Sequence, residues 1–259
     1  MRTAILLAAL ASSLWGQPLR PTPDAPPVTG VTLENAVYNP ANHTLDYDLV
    51  NQTQKYVSAW ALVQYFKNER GDESVGGWAL SEMAGSAVPK TPQVIAAGTP
   101  AFGMLAPAER RHAQSVARAG TGTADVTSMR VNLAAVIYDD ASAEGDDAFL
   151  NHLFASRKAR SDELQRWVPQ ISALKTSANP AADAQQLYQD MVEASYQEDK
   201  SNVGDVTTEQ RAGRQERQRL LESIRNLVKS AEAKRPLDSQ VNRLETEADS
   251  LLAGAVRRN

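Results

Sequence analysis

Asp140, Ser142, Glu144 and Gly145 stand at positions one, three, five and six of a calcium loop of EF-hand type, in the run Asp140-Ala141-Ser142-Ala143-Glu144-Gly145-Asp146-Asp147. Alternating oxygen donors ahead of a glycine turn are what such a loop needs to wrap a hard cation. The twelfth position, which requires a bidentate glutamate, is Asn151, and no helical pattern precedes the run. The same residues also read as a strand-to-helix connection. In that reading Gly145 takes a left-handed turn, and Asp146 or Asp147 caps a helix carrying Phe149. The residues favour this second reading, with Asp140, Ser142 and Glu144 kept as the metal-ligand candidates.

A second cluster is basic. Arg211, Arg214, Arg217 and Arg219 surround a single Glu216, a local charge of +3. A spacing of three sets Arg211, Arg214 and Arg217 along one helix face. Such a face would take an anionic partner: a phosphate headgroup, a polysaccharide or an acidic protein surface. The plainer alternative is a solvated helix start. No aromatic residue interleaves to stack on a base, so nucleic acid is not expected.

Nothing else in the chain has the form of a reaction centre. His43, His112 and His152 are scattered without helical or hairpin pairing, so a zinc site or a histidine triad would need convergence in space. There is no Gly-x-Ser-x-Gly, His-Glu-x-x-His or Gly-rich phosphate loop. No catalytic residue and no cofactor is therefore assigned. Trp60, Trp78 and Trp167 have the chemistry of a carbohydrate platform, yet each falls where a core aromatic serves equally well. Asp46 and Asp48 sit on the wet face of a predicted strand.

The elements that must position these residues divide by period. Val31, Leu33 and Val37, then Leu45, Tyr47 and Leu49, alternate with polar residues across a turn at Asn39-Pro40-Ala41-Asn42. Tyr56 to Phe66 is apolar on both faces, the mark of a central strand or one covered by another element. Ser74 to Leu105 reads as a long irregular connection with one or two short strands, punctuated by Gly76-Gly77, Pro89, Pro92, Gly98 and Pro100. Arg110 to Arg118 and the alternating Met129, Val131, Leu133, Ala135 and Ile137 complete the strands, with a turn at Gly120-Thr121-Gly122. Strands without intervening helices imply an antiparallel sandwich. Asn42-His43-Thr44 and Asn51-Gln52-Thr53 fit the N-glycosylation triplet and are read as turn chemistry.

From Asp146 the period is helical. One long helix carries Phe149, Leu150, Leu153, Leu164, Trp167 and Val168 and is bent or ended near Pro169. Asn179-Pro180 starts another, which Asn202 to Asp205 breaks. Stripes through Leu220–Ala231 and Leu237–Leu252, joined across Pro236, read as an antiparallel hairpin of near coiled-coil width that a partner helix or a second copy could complete.

Met1 to Gly16 has the layout of a secretory signal peptide: Arg2, then an apolar run from Ala4 to Leu14, then small residues, with cleavage after Ser13 or Gly16. The run is too short for ~30 Å of hydrocarbon, so no integral membrane segment is expected after cleavage. Cysteine is absent, so packing alone must hold an exported product of about 240 residues. The formal charge of −4, or −5 once Arg2 leaves with the leader, offers no field for nucleic acid or anionic lipid.

Leu45-Asp46-Tyr47-Asp48-Leu49-Val50-Asn51-Gln52-Thr53-Gln54-Lys55, followed by Val57-Ser58-Ala59-Trp60-Ala61-Leu62 and Arg70-Gly71-Asp72, resembles the Asn-loop signature of small FxLYD-type immunoglobulin-like sandwiches in secreted bacterial proteins. The likeness covers some thirty residues. The long insert after Asp72 and the aromatic strand Tyr56–Phe66 depart from it. It implies a fold and carries over no functional residue. The expectation is therefore an α+β chain: signal peptide 1–16, Pro-rich linker 17–29, an immunoglobulin-like antiparallel β-sandwich over 30–145, and an all-α region over 146–259 with a hairpin at about 205–256. Its expected role is that of an exported, periplasmic or extracellular, non-catalytic binding protein. Its partner would be another protein, or a second copy through the C-terminal helices. The alternatives are a carbohydrate-active or other hydrolytic enzyme with Trp78 and the 74–107 insert lining a cleft, and an envelope assembly subunit that oligomerises through those helices.

Overall fold

The alternating segments form strands and the 3.6-period segments form helices in a computed structural model that describes residues 18–23, 28–82, 104–117, 126–201 and 206–258. The leader, part of the Pro-rich linker, residues 83–103 of the insert, the Gly120–Gly122 turn and the 202–205 break lie outside the described residues. The strands are β1 (Thr22–Pro23), β2 (Val31–Asn39), β3 (Thr44–Asn51), β4 (Val57–Asn68), β5 (Glu73–Glu82), β6 (Arg110–Val116), β7 (Val126–Tyr138) and β8 (Ala143–Gly145). The helices are α1 (Asp147–Ala173), α2 (Pro180–Ser201), α3 (Thr208–Glu232) and α4 (Asp238–Ala253), with a 3-10 turn at Leu174–Thr176. The chain is thus α+β, with strands first and helices after.

One sheet is β2-β3-β6 and is antiparallel throughout; the other runs β7-β4-β5, with β8 and the two-residue parallel β1 both on β7. The larger sheet is curled into a half-barrel. The two sheets share one apolar core. Tyr38, Leu45, Tyr47 and Leu49 from the smaller sheet meet Trp60, Leu62, Phe66, Met129 and Leu133 from the larger. Tyr38 and Phe66 pack edge to face with centroids 5.3 Å apart, and Trp60 Nε1 donates to Tyr47 Oη at 3.3 Å. Buried Gln64 donates from Nε2 to Ser115 Oγ (3.3 Å), tying β4 to β6 across the layers.

The central strand β4 is buried on both faces, for both of the reasons its composition allowed. It lies between β7 and β5, and α1 covers its second face. Bulges decide which residue faces which layer. In the β4–β7 register Ser58 is the extra residue between Val57 and Ala59, and Ala134 the extra one between Leu133 and Ala135. A one-residue insertion reverses the alternation. Met129, Val131 and Leu133 therefore face the inter-sheet core, whereas Ala135 and Ile137 join Ala59, Ala61, Leu150 and Leu153 beneath α1. The single face read through Met129 to Ile137 is corrected by that bulge. The small alanines let the helix approach closely.

Of the irregular connection with one or two short strands expected from Ser74 to Leu105, the first part is corrected to a long strand, and residues 83–103 lie outside the described residues. Residues 73–82 form the full strand β5 paired along β4, despite Gly76-Gly77, because a hairpin turn at 69–72 brings it back. Asn68 Oδ1 accepts from Asp72 N–H in that turn (2.9 Å). Helix α1 also runs through Pro169 to Ala173 rather than ending there. An internal proline costs about 3 kcal/mol, but Trp167, Val168 and Ile171 are all buried around it, a larger gain.

In the helical region α3 packs between α1 and α2, and α4 packs on α1. The apolar stripes of α3 (Leu220, Ile224, Leu227) and α4 (Val241, Leu244, Leu251) are buried with Leu164, Trp167, Ile171, Leu187 and Met191 of the same chain. Helix α4 meets α3 at single points, such as Gln240 donating to Ser230 (3.0 Å), while its packing is on α1. Each has α1 as a close neighbour, so the seam expected to await a partner is filled from within. Thr207 caps α3 in a capping box with Gln210.

Candidate functional site

The loop with calcium-loop spacing closes on itself. Asp140 Oδ1 accepts from Ser142 N–H (3.0 Å) and Oγ–H (2.5 Å), and Asp140 Oδ2 meets Lys55 Nζ at 2.8 Å. Lys55 Nζ also reaches Ser142 Oγ at 2.8 Å. A lysine ammonium therefore stands where the loop would place its cation. The Lys55 and Ser142 hydrogen bonds hold the Asp140 carboxyl down to about 2. Glu144 turns away, accepting from Thr29 N–H (2.9 Å) and Oγ–H (2.8 Å) and from Tyr138 Oη–H (3.2 Å). The three metal-ligand candidates are thus divided between two internal networks, and no group of three His, Cys, Asp or Glu among the described residues is disposed to hold a metal. The strand-to-helix reading accounts for the run. Gly145 has φ +121°, and a Cβ there would strike the Ala134 carbonyl oxygen. Asp146 caps α1, accepting from Ala148 N–H at 2.8 Å.

The arginine face does not form as a surface stripe. Arg211 is exposed and Arg214 half-buried, but Arg217 is 2% exposed. Arg217 donates to Glu163 of α1 and to Glu198 of α2. Burial works to lower its pKa, yet those two carboxylates raise it overall. Its reason for being there is internal: α3 lies between α1 and α2, so a residue on its inner face must satisfy its charge from them.

The histidines stand on separate elements: His43 in the β2–β3 turn, His112 on β6 and His152 on α1. Trp60 and Trp167 lie in different cores, Trp167 donating to Glu163 at 3.1 Å. Trp78 lies on β5 opposite Val63. Trp60 and Trp167 therefore share no platform.

What the topology does bring together is the outer face of β2-β3-β6. Register pairs Asp46 with Gln114 and Asp48 with His112. Asp48 accepts from Asn35 Nδ2 (2.8 Å) and Arg110 Nη1 (3.1 Å), and His112 Nδ1 stands 3.3 Å from its Oδ1. Arg110 Nη2 reaches Glu34 Oε2 at 2.5 Å, and Gln114 Nε2 donates to Asp46 at 2.8 Å. These bonds, Asn35 first and then Arg110 and His112, lower the Asp48 carboxyl. Asn35 is presented by the irregularity in β2 between Glu34 and Val37, where it adopts φ +51°, a conformation asparagine tolerates better than most residues. Sequence reasoning placed Asp46 and Asp48 on this wet face. The cross-strand partners Arg110, His112 and Gln114 need the β3–β6 register, which crosses a long insert. Both His112 ring nitrogens are turned to carboxylates, with Asp46 3.8 Å from Nε2, so no ring nitrogen is aimed at a hydroxyl.

The corner supporting this face rests on Asn51, which is wholly buried. Its Nδ2 donates to the carbonyls of Lys55 (2.8 Å), Leu105 (3.1 Å) and Ala106 (3.0 Å), and its Oδ1 accepts from Thr53 N–H and Oγ–H. The second Asn-x-Thr triplet is therefore a structural corner. In the first, Thr44 Oγ–H donates to Asn42 Oδ1 within the β2–β3 turn (2.6 Å). No family model, curated protein or solved structure matches the chain. Among the described residues no helix is long and apolar enough to cross a membrane.

Proposed function

We propose that this chain is an exported, non-catalytic binding protein of the periplasm or extracellular space. Its strands act as an immunoglobulin-like sandwich of the FxLYD type, and the β2-β3-β6 face meets a protein partner. The observation that carries the reading is the cross-strand ladder Glu34–Arg110–Asp48–His112–Asp46–Gln114, held in place by its own bonds yet open to water, His112 being 67% exposed in its side chain. Two sheets around one core support the sandwich, and the leader supports export. Three carboxylates against one guanidinium favour a partner that offers cationic or amide groups. Contact through this face, rather than self-association through α3 and α4, fits the burial of both helical stripes within the chain.

Two measurements test it. Mass analysis of the protein from its host's envelope or medium should find a new N-terminus at Leu14 or Gln17; an intact Met1 in the cytoplasm refutes export. Cross-linking capture from that fraction should lose its products with Asp46→Lys/Gln114→Lys, which alters the rim of the ladder and leaves Asp48 intact. Identical products from both proteins refute the face.

A further inference from the structure

A buried ion cluster in the helical region has no part in the binding face. Glu216 of α3, its side chain 1% exposed, takes Arg160 Nε of α1 on Oε2 at 2.9 Å. On Oε1 it takes Arg219 through both Nε (2.8 Å) and Nη2 (2.5 Å). The same Arg219 Nη2 lies 3.0 Å from Glu247 of α4, whose side chain is 10% exposed. Two buried carboxylates on neighbouring helices thus share one guanidinium, and most of its hydrogen bonding goes to Glu216. Glu247 is left with burial, a like charge beside it and a share of a cation committed elsewhere.

We infer that docking of α4 onto α1 and α3 is coupled to uptake of a proton by Glu247, which removes the like-charge contact with Glu216 while Arg160 and Arg219 stay on Glu216. Burial first, and then the Glu216 charge, raise the Glu247 pKa against the pull of Arg219 and Arg160. A carboxyl whose pKa is higher folded than unfolded binds its proton more tightly in the docked state. Docking is therefore strongest below the ordinary glutamate value of 4.5 and weakens as pH rises through the raised folded value. The other carboxylate of α4 with a resolved partner, Glu245, works in the opposite sense and in a lower window. Lys175 and Ser172 lower its pKa, so its contribution is lost only as pH falls below the ordinary value. The consequence reaches the sheets. Gly254, just past α4, accepts from Arg157 Nη1 (3.1 Å), and Arg157 Nη2 donates to Ser58 Oγ in the β4 bulge (3.0 Å). Arg258 N–H also bonds the Ala141 carbonyl (3.0 Å). A proton on Glu247 tightens the helix whose end clasps helices to strands.

The test is amide exchange of the full chain, followed on α4 and corrected for the intrinsic pH dependence of exchange. From about pH 7.5 down to about pH 4.5, protection of α4 should rise in the wild type, by up to about tenfold for each pH unit between the folded and unfolded titration midpoints of Glu247. Glu247→Gln should be more protected than wild type at the upper end and flat across the range. A wild type as flat as the variant, or a variant less protected at about pH 7.5, overturns the inference. Should the variant fail to fold, carbon NMR of the wild-type Glu247 carboxyl decides: a midpoint above 4.5 supports proton uptake, and one at or below it overturns it.

Discussion

Replacing Asn51 probes the corner on which the ladder rests. Asn51→Ala removes three donated and two accepted hydrogen bonds. None of the three carbonyls is orphaned, because Leu105 O keeps Val57 N–H, Ala106 O keeps Glu109 N–H and Lys55 O keeps Thr53 Oγ. The loss is therefore that of net hydrogen bonds, about 1 kcal/mol each and roughly 2 kcal/mol for the two N–H donors shared among three carbonyls. Asn51→Asp keeps the shape and the Thr53 bonds but turns a carboxylate oxygen toward three carbonyls in a buried site. An unpaired buried charge should cost more than truncation, by at least about 1 kcal/mol at neutral pH. Burial would raise the new carboxyl's pKa, and its protonated form regains a donor. Asn51→Asp should thus recover stability as pH falls toward 5, while Asn51→Ala should not. Urea unfolding read by fluorescence at two pH values measures all three proteins. If Asn51→Asp is milder than Asn51→Ala at neutral pH, the carbonyl cradle does not hold the corner.

Gly145→Ala should lose more than about 2 kcal/mol, because it combines a positive φ with a Cβ driven into the Ala134 carbonyl; a thermal midpoint within a degree of wild type would count against the bulge geometry. For Asp140, carboxyl NMR should give a midpoint near about 2, returning toward the ordinary 3.8 in Lys55→Met. Its contribution to stability is accordingly present above the ordinary value and lost as pH falls through the lowered one. Calcium titrated into the wild type should give no heat at millimolar concentration, since Lys55 holds the Asp140 and Ser142 oxygens and Thr29 and Tyr138 hold those of Glu144; a saturable heat there would restore the metal reading.

Local chemistry was legible wherever a residue's partners lie within a few positions. The Asp146 cap, the Gly145 turn, the β2–β3 turn and the alternation of Leu45, Tyr47 and Leu49 all depend on neighbours, and the structure has each of them. The misreadings share one cause, which is that tertiary packing overrides local signals. Gly76-Gly77 reads as punctuation but sits in β5 because β4 pairs with it along its length. Pro169 reads as a bend or a stop, and of the two the stop is overridden, with Trp167 and Ile171 buried beside it. Arg217 reads as surface because three residues of spacing say nothing of what packs on that side of the helix. The β2-β3-β6 ladder was half visible: two aspartates were placed on a wet face, while Arg110 and His112 arrive there from some sixty residues away.

The change of period at Asp146 does not coincide with a change of core. The first turns of α1 bury Leu150 and Leu153 against Ala59, Ala61, Ala135 and Ile137 of the strands. Its later turns bury Leu164, Trp167 and Ile171 among α2, α3 and α4. A 27-residue helix is about 40 Å long at 1.5 Å per residue, long enough to serve two cores in succession. At the changeover sits Arg157, 1% exposed, with one arm on Ser58 of the strands and the other on Gly254 beyond the last helix. Cutting the chain at 145 would leave Ile137 and three alanines facing water and Ser58 without its guanidinium. The boundary that hydrophobic periodicity draws between strands and helices is therefore the place where the two are joined. The sheet that carries the ladder is backed by the larger sheet, and the larger sheet in turn by the first turns of α1 after Gly145.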